Sequence, residues 1–276
     1  MAYDPVSQKT VMFGGYRRGG YYADTWTFDG SDWKKQKSSV APSARAAASM
    51  AFDATLQKLV LFGGWNGQNY LGDTWVWDGA TAAWTQMNPA GSPQPMTGPM
   101  LFPDPRSGRV DNFGGFDGRF YSLTTWRWRD GTWHKLHPAE FPSARGSAVF
   151  ATDPVRKQTV LFGGLADVNP VNTWTYDGRA WTQQFPNNQL SYRFYAGAVY
   201  DPRFQGVVVF GGFSGEDVND TWLWTGTDWQ QLSPTATPTE RESFGMAFDG
   251  LHQQTVIFGG QSGNSLLRDT WVLQTN

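Results

Sequence analysis

The chain has 276 residues, no cysteine and a formal net charge of −2. This near balance of charge excludes the strongly basic surface of a general nucleic-acid binder, and the lack of cysteine excludes disulfides and thiolate metal sites. No run of 18 apolar residues occurs, so we expect no membrane span, and the first residues lack the apolar segment of a signal peptide. Nothing in the sequence indicates a compartment.

One unit of about fifty residues repeats along the whole chain. Phe-Gly-Gly begins at positions 13, 62, 113, 162, 210 and 258. A Thr-Trp pair keeps the same phase, beginning at positions 25, 74, 125, 173, 221 and 270. A second tryptophan follows in five units: Trp33, Trp84, Trp133, Trp181 and Trp229. The repeat predicts a single domain over 1–276, with units at approximately 1–44, 45–95, 96–144, 145–192, 193–240 and 241–276.

Each unit predicts four short strands, A to D in chain order. In the second unit they lie in AASMAFD, KLVLFGG, DTWVWDG and AWTQM. Asp-Pro, Gly-Gly and Asp-Gly separate the strands, as turn residues do. Strand B is apolar at successive positions, which indicates a strand covered on both faces. A small sheet covered on both faces and repeated radially is a propeller blade.

The Gly-Gly, Thr-Trp and second-Trp columns resemble those of the kelch-repeat family, and they match over essentially the whole chain. The resemblance implies an all-β, six-bladed β-propeller of four-stranded antiparallel blades, similar to the central domain of galactose oxidase. The sixth unit ends at DTWVLQTN without a closing tryptophan, so we expect the last blade to lack its outer strand; the alternative is that the chain was cut from a longer parent. That bare edge is a candidate for edge-strand self-association.

The repeat separates structural charges from candidate functional ones. Aspartates that recur in phase are typical of turns, where they bind nearby backbone groups. Most of the remaining acids, including Glu216 and Glu242, fall in the B-to-C (BC) or D-to-A (DA) connections. In an up-and-down blade these connections emerge at the same end. We therefore expect the unphased acids to gather on one rim.

The same rim carries an arginine column, eight residues before the acid of the A-to-B turn: Arg45, Arg145, Arg193 and Arg241. Guanidinium groups suit carboxylate ligands, but arginines in phase also suit a structural role that ties loops together. The BC connections add candidate aromatic contacts: Tyr16, Trp65, Tyr70, Phe116 and Phe213. Arginine and aromatic residues on variable loops are typical of a recognition surface.

The third unit departs most from the pattern. Its strand B places Asp111 where other units have an apolar residue, and its strand C carries Arg127. A buried carboxylate needs a partner, and an arginine on the adjacent strand can supply one. We interpret the pair as a compensating ion pair; the alternative is a polar pocket wall.

The sequence favours a non-catalytic module that binds an anionic or polar ligand (a peptide, protein loop or glycan) at the BC/DA rim. One alternative is a carbohydrate-active enzyme that uses rim carboxylates on a sugar acid, as the six-bladed kelch propeller of sialate mutarotase suggests. Another is a self-assembling scaffold. We expect no cofactor and no metal, because a copper-radical site like that of galactose oxidase needs cysteine and several histidines and this chain has 3 histidines. Nucleic acid and membrane are not expected partners.

Overall fold

The structure is a computed structural model that describes residues 1–273. These residues form an all-β ring of six blades. Blade one contains β1 (Ala2–Asp4), β2 (Lys9–Phe13), β5 (Thr25–Phe28) and β6 (Trp33–Gln36), and its BC connection carries β3 (Tyr16–Arg17) and β4 (Gly20–Tyr21). Blade two contains β7 (Ser49–Asp53), β8 (Lys58–Phe62), β9 (Thr74–Asp78) and β10 (Ala83–Met87).

Blade three contains β11 (Met100–Pro103), β12 (Val110–Phe113), β13 (Thr125–Arg129) and β14 (Thr132–Lys135). Blade four contains β15 (Val149–Asp153), β16 (Gln158–Phe162), β17 (Thr173–Tyr176) and β18 (Trp181–Gln184). Blade five contains β19 (Gly197–Asp201), β20 (Gly206–Phe210), β21 (Thr221–Trp224) and β22 (Trp229–Leu232). Blade six contains β23 (Gly245–Asp249), β24 (Gln254–Phe258) and β27 (Thr270–Leu273), with β25 (Gln261–Ser262) and β26 (Ser265–Leu266) in its BC connection.

Blades one to five are antiparallel meanders in which strands A, B, C and D pair in sequence order. The sixth sheet has 3 strands within the described part of the chain, in the order β23-β24-β27. Both predictions, four-stranded blades and an incomplete last blade, are confirmed. Residues 1–273 contain no helix that could cross a membrane.

Neighbouring blades meet at a repeated contact that we call the seam. A buried strand-D tryptophan donates its indole N–H to the threonine that begins strand C of the preceding blade. The nitrogen–oxygen distances are 2.8 Å for Trp84–Thr25, 2.9 Å for Trp133–Thr74, 3.1 Å for Trp181–Thr125 and 2.9 Å for Trp229–Thr173. The same indole rings lie 4.9–5.8 Å from the Phe-Gly-Gly phenylalanine of the preceding blade. The seam explains why these three columns keep a common phase.

The ring closes through one more seam, between blades six and one. The indole N–H of Trp33 donates to Thr270 Oγ1 at 3.0 Å, and the Trp33 ring lies 5.0 Å from that of Phe258. These are the same partners as in the other seams. Packing between blades one and six therefore joins the two ends of the repeat array.

The glycine pair that ends strand B is required by its backbone. The first glycine has φ between 64° and 74° in all six copies, a conformation that favours glycine. A Cβ on Gly63 would also come within 2.8 Å of the Met96 carbonyl oxygen. The pair therefore turns the chain out of the sheet where the next blade approaches most closely.

Blade three contains the predicted ion pair. Arg127 donates to both carboxylate oxygens of Asp111, at 2.8 and 2.7 Å, and also donates to Asp104. Burial raises the pKa of Asp111 to about 7; Arg127 opposes this rise, and the charge of Asp104 adds to it. One guanidinium thus serves two buried carboxylates. The interpretation as a compensating ion pair is confirmed.

Candidate functional site

The BC and DA connections meet at one end of the ring, as expected. In blades one to five the backbone N–H of the second glycine in the pair donates to the carbonyl of the DA connection that follows, for example Gly15 to Arg45 at 2.8 Å and Gly164 to Arg193 at 2.9 Å. A second backbone bond joins the same two connections: the N–H of Arg45 donates to the carbonyl of Tyr22, in the BC connection of the preceding blade, at 3.0 Å. We call this end of the ring the rim.

A series of four backbone hydrogen bonds links the DA connections that lead into blades two to six. Gly98 donates to Ala47 at 2.9 Å, and Ser147 donates to Gly98 at 3.1 Å. Tyr195 then donates to Ser147 at 3.1 Å, and Ser243 donates to Tyr195 at 2.9 Å. All five residues have positive φ, between 52° and 60°. These bonds hold each of the five DA connections to its neighbour at this end of the ring.

The four column arginines are completely buried, with 0% exposure. Arg45 uses all its N–H groups: it donates to Gly63, to Ser43 twice, and to both oxygens of Asp73 at 2.6 and 2.8 Å. A ligand carboxylate would have to displace Asp73 to reach it. The geometry favours the structural alternative, in which these arginines tie loops together. Their direct part in ligand binding stays a prediction.

The partner of the column arginine varies among blades. Arg193 donates two hydrogen bonds to Asp220, and Arg241 donates two to Asp269, as Arg45 does to Asp73. Blade three has Met96 and Thr124 in the two places, so it lacks both charges.

Blade four keeps the arginine without the acid. Arg145 donates to Asn172 Oδ1 at 3.1 Å, and burial lowers the pKa of Arg145 to about 10. It is the one column arginine in residues 1–273 without a carboxylate partner.

Aromatic side chains form a continuous group over blades two and three. In each of these blades the residue after Gly-Gly forms an antiparallel β-bridge with the residue after the arginine-column position. These bridges are Trp65 with Ala46 and Phe116 with Thr97. Ring centroids are 4.6 Å apart for Trp65–Tyr70, 5.9 Å for Tyr70–Phe116 and 4.8 Å for Phe116–Tyr121. All four side chains are half-buried. We call Trp65, Tyr70, Phe116 and Tyr121 the aromatic cluster.

The other predicted aromatic residues lie elsewhere on the rim. Phe213 packs 5.3 Å from Phe194 in blade five. Tyr16 lies 5.6 Å from Tyr21 in blade one and is 53% exposed. The structure therefore brings Trp65, Tyr70 and Phe116 together and leaves Tyr16 and Phe213 apart. Sequence reasoning missed Tyr121, although its place in the BC connection matches that of Tyr70.

An acidic cleft opens between blades five and six. It is lined by Glu216, Asp217, Asn219, Glu240, Ser262 and Gly263. Asp217 accepts the Gly263 N–H at 2.6 Å, while Asp217 Oδ1 is buried without a partner in the described structure. Burial raises the pKa of nearby Glu242, and the charge of Asp217 raises it further. Glu216 thus lies in this cleft, and Glu242 lies within the electrostatic reach of Asp217.

These features define a class of protein: a six-bladed β-propeller ring whose connecting loops form a rim of aromatic and acidic groups. A comparison with protein families matches residues 1–164 to the KLHDC2/KLHL20/DRC7 Kelch-repeats domain. The chain belongs to the kelch-repeat family. The kelch propeller is generally a protein-interaction module. A comparison with curated proteins gives no match.

Proposed function

We propose that the chain is a non-catalytic interaction module that binds a polar segment of another protein at the rim. The observation that carries the proposal is the aromatic cluster. Its four rings contact one another across two blades and remain half-buried, so further apolar area can be covered. Aromatic residues of this kind dominate the energetics of interfaces.

The charges around the rim favour a polar ligand with basic groups over an anionic one. The column arginines are occupied by internal partners. The cleft between blades five and six presents carboxylates, and cations there would gain from complementarity. We therefore propose a segment that places apolar side chains on blades two and three and a lysine or arginine in the acidic cleft.

The glycan ligand and the sugar-acid enzyme remain alternatives of lower rank. The raised pKa of Glu242 is a property that an acid or base catalyst shares. A structural cause, burial beside Asp217, accounts for it without catalysis. Turnover of a sugar acid that is lost in Glu242→Gln would establish the enzyme instead.

An array of acidic, basic and aromatic-rich peptides, with glycans on the same support, tests the proposal. We expect basic, aromatic-rich peptides to bind, and a Trp65→Ala/Phe116→Ala variant to bind at least about tenfold more weakly, as for interface anchors. The matched control is Leu56→Ala/Val155→Ala, which removes apolar groups that are 40% and 72% exposed on A-to-B turns at the other end of the blades. Equal losses in both variants, or binding of acidic probes alone, would contradict the proposal.

A further inference from the structure

The BC connection of blade four lacks a backbone hydrogen bond that the other five connections make. In those blades the residue three places before the Thr-Trp pair donates its N–H to the carbonyl of the second glycine. The donors and acceptors, 2.8–3.0 Å apart, are Tyr22 and Gly15, Leu71 and Gly64, Ser122 and Gly115, Val218 and Gly212, and Leu267 and Gly260. Blade four has Pro170 in the donor place, and proline has no N–H. The Gly164 carbonyl accepts the hydroxyl of Tyr192 instead, at 3.1 Å.

A second backbone bond is missing at the same place. The column residue of the following blade donates its N–H to the carbonyl of this BC residue, and the pairs, 2.9–3.2 Å apart, are Arg45 and Tyr22, Met96 and Leu71, Arg145 and Ser122, and Arg241 and Val218. Within residues 1–273, Arg193 makes no such bond to Pro170. The connection from Leu165 to Asn172 is therefore the least firmly tied part of the rim.

The turn of this connection also lacks its internal support. In blade two the side chain of Asn66 accepts the N–H groups of Gln68 and Asn69, at 2.9 and 2.8 Å. Asp117 accepts two N–H groups of its own turn in the same way in blade three. Ala166 stands in this place in blade four and has no acceptor. In the described structure, residues 166–171, which we call the blade-four loop, make no hydrogen bond and no ion pair.

The blade-four loop presents apolar side chains to solvent. Val168 is 71% exposed and Val171 is 51% exposed, whereas Pro170 between them is buried and anchors the inner end of the loop. The outer end is anchored at Leu165, which exchanges two backbone bonds with Gly146, at 2.8 and 2.9 Å. The tip between these anchors can move without breaking a hydrogen bond, as segments of low local stability do.

The loop lies next to the aromatic cluster. In blades two and three the ring of Tyr70 covers Gly118, the turn glycine of the following blade. Asp167 occupies the place of that glycine in blade four, so Tyr121 faces a carboxylate there. Burial raises the pKa of Tyr121, and the charge of Asp167 raises it further. The tip of the loop thus carries an exposed carboxylate and an exposed valine beside the last ring of the cluster.

We propose that the blade-four loop is a lid that closes over a basic, aromatic-rich polypeptide segment held on the aromatic cluster. This inference rests on the proposed function and adds a moving part to the same site. Closure places Val168 on the apolar groups of the segment and brings Asp167 to its basic groups, and both contacts match the chemistry of that ligand. Loops that close in this way slow the dissociation of what they cover.

A variant that ties the loop down tests whether its movement matters. Pro170→Leu/Asn172→Asp supplies the missing N–H and the missing carboxylate while it keeps both valines. The probe is a labelled hexapeptide of alternating tyrosine and lysine, and stopped-flow fluorescence gives its rates. We expect dissociation about three- to tenfold faster than from the wild-type chain, with little change in association. Asn172→Asp alone is the matched control and should release the probe at the wild-type rate. Equal dissociation from the tied variant and the wild-type chain overturns the lid.

A second pair of variants tests the side chains of the lid. We expect Val168→Ser/Val171→Ser to bind the hexapeptide about tenfold more weakly at an unchanged Tm, because exposed valines contribute little to folding. Val6→Ser/Val155→Ser removes two valines that are 41% and 72% exposed on A-to-B turns at the other end of the blades, and should bind with wild-type affinity. The same affinity in both variants would refute closure over the ligand.

Hydrogen exchange separates the lid from the site that it covers. In the free chain the amides of Val168 and Asn169 should exchange at least about tenfold faster than those of Gln68 and Asn69, and the hexapeptide should slow them. Equal exchange of the two turns in the free chain contradicts the lid whatever binds. Binding that depends on Trp65 and Phe116 but leaves exchange of the blade-four loop unchanged overturns the lid and supports the proposed function. No binding of the hexapeptide by the wild-type chain counts against both.

Discussion

Blade four offers a direct test of how the column arginines stabilise the ring. Arg145 is buried, and its polar partners are Ser143, the Gly163 carbonyl and the amide oxygen of Asn172. In the sibling blades an aspartate occupies the place of Asn172 and accepts two bonds, at 2.6 and 2.9 Å for Asp220. We predict that Asn172→Asp stabilises the protein, because it supplies the missing charge at a site already shaped for it.

The expected gain follows from the exchange of bonds. The variant replaces one neutral acceptor at 3.1 Å by a carboxylate that accepts two charge-assisted bonds. Such bonds contribute about 1.5–3 kcal/mol each, and part of this is offset by desolvation of the half-buried carboxylate. We expect a net gain of about 1–2 kcal/mol, which raises the Tm of a chain of this size by about 2–8 °C.

The pH dependence of the gain distinguishes the ion pair from other causes. The hydrogen bonds from Arg241 lower the pKa of Asp269 to about 2, and we expect the same direction for Asp at position 172. A lowered folded-state pKa means that the gain is complete above the unfolded value of about 3.9 and disappears as the pH falls toward 2.

Thermal unfolding of the wild-type chain and the variant at several pH values between 3 and 7 is the assay. Asn69→Asp, which adds the same charge at an exposed position of the blade-two BC connection, is the matched control and should leave the Tm nearly unchanged. An unchanged or lower Tm for Asn172→Asp at pH 7, or a gain that does not depend on pH, would refute the reasoning.

Two further predictions concern the blade-three ion pair and the seams. The pKa of buried Asp111 is raised to about 7, so the stability that its protonated form contributes is complete below the unfolded-state pKa of about 3.9 and is lost as the pH rises through 7. The advantage of the wild-type chain over Asp111→Asn in urea unfolding should therefore shrink between pH 4 and pH 7, by at most about 4 kcal/mol. Parallel pH profiles of the two chains would contradict this. At the seams, Trp133→Phe leaves the buried Thr74 hydroxyl without its partner and should lower the free energy of unfolding by about 2–3 kcal/mol. Trp33→Phe, at the half-buried closing seam, should lower it by about 1 kcal/mol or less. Equal losses of the two variants in urea unfolding would show that burial does not decide the cost.

The repeated columns made the architecture predictable from the sequence. Phe-Gly-Gly, Thr-Trp and the second tryptophan recur because each seam needs all three, so their phase encodes both the unit length and the number of blades. The ion pair of Asp111 and Arg127 was predictable for a similar reason. A carboxylate placed in an apolar strand must find a cation, and the neighbouring strand offers one.

The placement of the rim groups required the tertiary structure. The sequence shows Arg45 and Asp73 as members of two separate columns, and only the folded loops bring their side chains within 2.6 Å. The phase of the arginines suited a binding role and a structural role equally well. The two roles differ in whether the side chain is buried, and the position of a residue in the sequence does not reveal its burial. Likewise Tyr70 and Phe116 belong to different units, and their contact depends on how the BC connections of two neighbouring blades pack against each other.

The amino-acid sequence alone thus determined the all-β repeat, the six blades and the incomplete last blade, because these depend on local periodicity and on residues that recur within each unit. Only the tertiary structure decided which side chains hold loops together and which remain accessible on the rim, because the contacts of these side chains come from loops that are distant in the sequence.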